Sequence, residues 1–183
     1  MLLTKKVFKT AFIEALKKNG LTIYFNRNDY FILINGKDSS RIVSVELVCS
    51  TKIDTIVHGS HNNNKVDGIG HFLFSFPKWE DKTNFYVFAF LDTTNHEIEF
   101  VVVPDAVLRS RLQNQNRISS DLKKEELTLW LMENRKVYDS TQIQNSLESL
   151  WYFYSKGNTG NCMADGSEMD YSDYLNNWRQ LTN

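Results

Sequence analysis

Two apolar runs constrain this chain more than any other feature: FYVFAFLD at 85–92 and EIEFVVV at 97–103. A short turn, TTNH, joins them. Both are nearly continuous in apolar character, which is the pattern of strands covered on both faces. Such a pair belongs inside a layered domain, with other elements packed above and below it.

The residues before the pair supply further elements. TKKVFKTAFIEALKK at 4–18 predicts a helix, with Thr4 as N-cap and Phe8, Ala11, Phe12, Ala15 and Leu16 as one apolar stripe. Asn19-Gly20 closes it with residue types that tolerate a left-handed cap. The period then changes. LTIYFNR, YFILI and RIVSVELVCS predict three strands of an antiparallel meander, with a turn at NGKDSS around Gly36. Residues 50–70 are polar and rich in Asn and Gly, which predicts a loop, and HFLFSF a short strand ended by Pro77.

After the pair, Pro104 ends the second strand and DAVLRSRLQNQ predicts a helix with Asp105 near its N-terminus. DLKKEELTLWLMENR predicts another helix, with Leu122, Leu127, Trp130 and Leu131 on one face. STQIQNSLESLWYFYSK and YSDYLNNWRQL predict two more. The reading is a single α/β domain over 1–183: a central mixed β-sheet flanked by helices in 1–112, and a helical C-terminal extension over 113–183.

Composition narrows the function classes. With 42% hydrophobic residues the chain holds enough apolar material for a packed core. No stretch approaches the roughly 20 apolar residues of a membrane span, so no membrane partner is expected. The lysines spaced through the first helix do not read as a secretory signal. The two cysteines, Cys49 and Cys162, do not form a disulfide framework, so a reducing, cytoplasmic setting is expected. The formal net charge of −1 excludes a broadly basic nucleic-acid binder but not one with a local cationic groove.

In its order of helix, three-strand meander, loop, then the pair FYVFAFLD and EIEFVVVPDAVLRSRL, the chain resembles the restriction-endonuclease-like nuclease superfamily. It is closest in texture to the small members related to Holliday-junction resolvases. The resemblance covers residues 4–112. It implies an acid near the start of the second strand, where Asp29 stands, and an acid on the third, where Glu46 stands. It implies phosphodiester hydrolysis dependent on Mg²⁺ or Mn²⁺, DNA as partner, and allows a homodimer. Two carboxylates on neighbouring strands suit a hard divalent cation, which polarises the scissile phosphate and activates a water. Glu14 is a helix-borne acid of the kind some relatives add as a metal ligand.

The superfamily motif places a lysine two residues after the strand acid, to orient the water or steady the developing charge. Here that residue is Val48. Two readings follow. Lys52, which has the same strand parity, supplies the cation, or the site is degenerate and the fold serves to bind nucleic acid or a protein. Lys37 is a weaker substitute for the missing cation. Phosphate contacts are expected from Lys52 and Lys65, joined by Arg109 and Arg111. The blander alternatives are a turn role for Asp29 and a solvent-facing Glu46.

Other motifs carry less. Pro104-Asp105 lacks a following acid-x-lysine. His58, His61 and His71 have no cysteine pair or HExxH helix to make a zinc site. Cys49 reads as a buried thiol. The aromatic run Trp151–Tyr154 reads as helix core before it reads as a base-stacking surface.

Overall fold

The structure is a computed structural model, and it describes residues 4–36, 40–52, 66–76, 83–114, 124–141 and 169–182. Helix α1 (Lys5–Lys18) buries Phe8, Phe12 and Leu16, the expected stripe. Thr4 holds the extended N-cap conformation without a side-chain cap bond. Instead its carbonyl accepts the Val7 N–H at 2.9 Å. At the far end Gly20 takes φ 74°, the left-handed conformation that glycine adopts without strain.

Strands β1 (Leu21–Arg27), β2 (Tyr30–Asn35) and β3 (Ile42–Cys49) form the expected antiparallel meander. Next in the chain is β4 (Val66–Phe74), followed by the apolar pair β5 (Phe85–Asp92) and β6 (Glu97–Pro104). β5 runs parallel to β3 and antiparallel to β6, so the central sheet is mixed, in the order β1-β2-β3-β5-β6. Helix α2 (Asp105–Asn114) follows β6 directly.

Alternation along β5 explains its unbroken apolar sequence. Val87 and Ala89 point into a core shared with α1, where Phe12, Phe31, Val45 and Leu47 also lie. Tyr86, Phe88 and Phe90 point into a second core on the opposite face. That second core is closed by α2 through Leu108 and Leu112, and by a three-stranded sheet ordered β4-β7-β8. The α/β architecture with a mixed central sheet therefore stands.

Three expectations are corrected. The helix predicted over DLKKEELTLWLMENR is instead β7 (Glu125–Met132), hairpin-paired to β8 (Val137–Asp139). Leu127, Leu129 and Leu131 are fully buried at alternate positions, a period of two that the helix reading overlooked by grouping Leu127 with Trp130 and Leu131. Among the described residues, the C-terminal part is therefore not a helical extension. It contributes strands to the same core as β5 and β6. Secondly, the loop predicted over 50–70 gives way at Val66 to the first half of β4, which continues through the expected HFLF strand. Thirdly, the terminal helix is broken into a 3-10 turn at Ser172–Tyr174 and the single-turn helix α3 (Arg179–Thr182). The break falls at Asn176, whose N–H donates to the Phe100 carbonyl at 2.7 Å and whose backbone takes φ 49°. The helix predicted from STQIQNSLESLWYFYSK falls, past Thr141, outside the described residues.

A buried polar network fastens the layers. Asp92 is fully buried at the end of β5 and accepts from the backbone N–H groups of Thr94 and Asn95, each at 2.9 Å. Arg135, in the β7–β8 turn, bridges Asp92 at 3.2 Å and Glu99 at 2.7 Å. Two buried carboxylates on the central hairpin thus have their countercharge supplied by the second sheet. Among the described residues no helix is long and apolar enough to cross a membrane.

The two sheets also meet at Gly68. A Cβ there would lie 2.4 Å from the Leu91 carbonyl oxygen, a backbone atom that cannot swing aside. Gly68→Ala is expected to destabilise the protein by about 1–3 kcal/mol, the usual range for overpacking. Urea unfolding checks this. A midpoint unchanged from the parent would show that β4 is not seated on β5 as described.

Candidate functional site

The β1–β2 hairpin closes through the two residues Asn28 and Asp29, with Asn28 in the left-handed region at φ 58°. Because β2 starts at Tyr30, opposite Glu46, the edge of β3 loses its strand partner just beyond. The last link is the Leu47 N–H donating to the Asp29 carbonyl at 2.8 Å. A cleft of about 320 Å³ opens where the edge is bare, lined by Lys5, Asp29, Glu46, Val48, Cys49 and Leu73 among others.

Asp29 stands on the α1 side of the sheet. It forms an ion pair with Lys5 in the first turn of α1. One helical turn on, the Lys9 ammonium donates to the Asn28 carbonyl at 2.6 Å, so α1 grips this turn twice. Glu46 stands on the other side. Its neighbours Val45 and Leu47 enter the α1 core, whereas Val48, and Tyr86 directly across the ladder, enter the opposite core. The two carboxylates named by the resemblance therefore border one cleft, reached from opposite faces of the sheet.

The electrostatics follow from this placement. Burial pushes the Glu46 carboxyl up to about 7, and the Asp29 charge adds to the effect. Burial and then Asp29 push the Cys49 thiol up to about 11, with Lys5 and Lys9 opposing, so this cysteine is not poised as a nucleophile. The Lys5 ammonium is raised by its bond to Asp29. Beside Glu46, the Tyr86 phenol is raised by burial and by the Glu46 and Asp105 charges. Its hydroxyl and that of Thr83 are buried without a partner in hydrogen-bond geometry.

Other expected site residues stand elsewhere. Glu14 is exposed on α1 beside Lys6 and Thr10, in a separate shallow groove. Lys52 does not continue the parity of β3. The strand ends at Cys49, and Ser50 and Thr51 turn away to donate to the Ala89 and His71 carbonyls at 2.9 and 2.8 Å. Lys52 is exposed and outside the cleft lining. Val48, at 6% exposure, packs in the second core where the motif lysine would have begun. Lys65, Lys37, His58, His61 and the aromatic run at 151–154 lie outside the described residues.

Arg109 and Arg111 are half-buried on α2, and each is held by neighbouring groups of the protein. The Arg109 Nε donates to both Asp105 oxygens at 2.9 and 2.8 Å, and the guanidinium lies 4.0 Å from the Phe76 ring centre. Arg111 donates to the Asp170 carbonyl at 2.5 Å, with its guanidinium 4.5 Å from the Tyr171 ring centre and 5.1 Å from that of Tyr174.

The residue that the sequence reading missed is Lys5. Its signal was its place in the first turn of the helix that precedes the meander. Among the described residues no group of three or more side chains is arranged to hold a metal ion. Asp29 and Glu46 offer oxygen donors; the Lys5 ammonium pairs with the first, and burial together with the Asp29 charge raises the second to about 7.

The raised carboxyl makes stability pH-dependent with a definite sign. Folding favours protonated Glu46, so no penalty exists below its ordinary value of 4.5, and the penalty grows until the pH passes about 7. Glu46→Gln, which is always neutral, should match the parent at the acid end of this window. Above it the variant should be more stable, by on the order of 2 kcal/mol. Urea midpoints on either side of the window check this. An equal difference at both pH values would show that Glu46 is not desolvated.

Comparisons with protein-family models, curated proteins and solved structures give no match.

Proposed function

We propose that this chain is a nucleic-acid-binding module on a nuclease-like scaffold whose hydrolytic centre is not assembled. Support for the scaffold is the order of its parts: α1, an antiparallel meander, β5 parallel to β3, then β6 and α2. The observation that carries the non-hydrolytic reading is the Lys5–Asp29 ion pair. The ammonium sits on the acid that a catalytic cation would need, while the place of the motif lysine is taken by core-buried Val48.

Binding to a polyanion is supported by uneven charge. The whole chain has a formal charge of −1, yet the 14 residues of α1 carry five lysines and one acid. A cationic helix beside the cleft attracts phosphate even where the total charge is neutral. Few phosphates would be neutralised, so affinity should fall with salt along a shallow slope.

The test is a binding and cleavage assay on plasmid, single-stranded and branched DNA, with Mg²⁺ or Mn²⁺ and with EDTA. Binding at low salt without strand scission is expected in every condition. Scission that EDTA stops and Glu46→Ala abolishes would overturn this reading in favour of a metal-dependent nuclease.

A further inference from the structure

The face of the central sheet turned away from α1 is packed over β5 and β6, where Phe88, Phe90, Val101 and Val103 are fully buried. Over the meander it differs. The strand register sets side chains in rows across this face: Phe25, Ile32 and Ser44 in one, Arg27, Tyr30, Glu46 and Tyr86 in the next. Phe25 is 46% exposed and Arg27 is exposed, while Ile32 and Tyr30 are half-buried. Tyr24 is the extra residue where the β1–β2 register shifts between Ile23 and Phe25, and it is 73% exposed. Among the described elements, β1 packs substantially against β2 and α1 alone.

A cation stands on the same face as the Phe25 ring. Arg27 stands two residues after Phe25 and immediately precedes the turn on which the Lys9 ammonium of α1 rests, whereas Lys6 stands on the exposed side of α1, which packs on the other face of the sheet. Neither Arg27 nor Lys6 has an acidic partner among the described residues. Residues two apart on a strand share a face and stand roughly 6–7 Å from each other. A base lying on the Phe25 ring would thus place its phosphate within reach of the Arg27 guanidinium.

Exposed rings beside cations discriminate between forms of nucleic acid. In a duplex the base faces are stacked on each other, so a protein ring finds no face to cover, and cations alone suffice for contact. Unpaired bases offer free faces, and aromatic stacking with a cationic edge suits single strands of any sequence. Resting on the nucleic-acid-binding reading above, we infer that the β1 edge is a docking surface for single-stranded nucleic acid. Tyr24 and Phe25 stack on bases, and Arg27 holds phosphate.

Fluorescence anisotropy with the full chain tests this, using a labelled deoxythymidine oligomer and a duplex of equal length. The single strand should bind more tightly. The double variant Tyr24→Ala/Phe25→Ala should weaken it at least about fivefold, while Tyr24→Phe, which keeps the ring, should retain affinity. Arg27→Glu should weaken binding and flatten its salt dependence. Circular dichroism and thermal melting confirm that each variant is folded. Preference for the duplex overturns the inference, as does an unchanged double variant alongside a weakened Lys52→Glu; in both cases the binding reading stands. A dimer that Tyr24→Ala dissolves without change in affinity also overturns it, and assigns the edge to self-association. No affinity for any nucleic acid at low salt removes the proposed function itself, and this surface with it.

Discussion

Residues Tyr86–Phe90 of β5 and Val101–Val103 of β6 separate two cores, and both cores need them. Each large apolar side chain buried there contributes roughly 1.5–3 kcal/mol, and alternation sends half of that contribution to each face. Neither core can therefore be lost alone: uncovering one face of β5 removes the wall of the other. The parallel pairing of β3 with β5 adds a second constraint. Parallel neighbours need a long crossover, and here the chain between them carries β4 out to the second layer. The three-stranded sheet is thus a consequence of how β5 reaches its partner. The Arg135 bridge to Asp92 and Glu99 then fixes that sheet against the hairpin end.

The same arrangement sets the chemistry at the cleft. Glu46 pairs with Tyr86, the first fully buried residue of β5, so its carboxyl is drawn toward the second core and partly stripped of water. The position two residues on along the same face is the apolar, buried Val48. On the α1 face, by contrast, Asp29 is paired with Lys5. Burial and the Asp29 charge together raise the Glu46 carboxyl to about 7, while the Lys5 ammonium partly offsets the charge of Asp29.

Much of this was legible in the residues. The α1 stripe, the meander and the β5–β6 hairpin each show one clean period, and each forms with bounds close to those predicted. β7 was misread because Leu127, Trp130 and Leu131 fit a helical face about as well as Leu127, Leu129 and Leu131 fit a strand. Only pairing with β4 decides between them, and that partner lies more than fifty residues earlier in the chain. Lys52 was misplaced because parity was carried past Cys49, where hydrogen bonds to His71 and Ala89 turn the backbone aside. For Arg109 and Arg111 the local sequence does not reveal Phe76, Asp170 or Tyr171 beside them. Asp29 and Glu46 could be named from sequence, but not the face each would take. That depends on a two-residue turn and a ladder that changes partners at one position.

Edge strands expose unpaired backbone groups and invite pairing with other chains, so proteins blunt them with bulges, charges and cover. β1 shows the first two devices: an irregularity at Tyr24 that breaks the ladder, and Arg27 at its exposed end. The irregularity has a second effect. An extra residue in a strand turns its side chain out of the alternating pattern, and here the residue turned out is a tyrosine. A polar residue would protect the edge equally well and leave less apolar surface in water. Tyr24 instead stands exposed beside Phe25, with Arg27 two residues further along the Phe25 face, an arrangement that edge protection alone does not require. The fold thus divides its work by layer. β5 and β6 are sealed on both sides to hold the protein together, and the meander, covered by α1 on one side, leaves Tyr24 and Phe25 exposed at its outer edge.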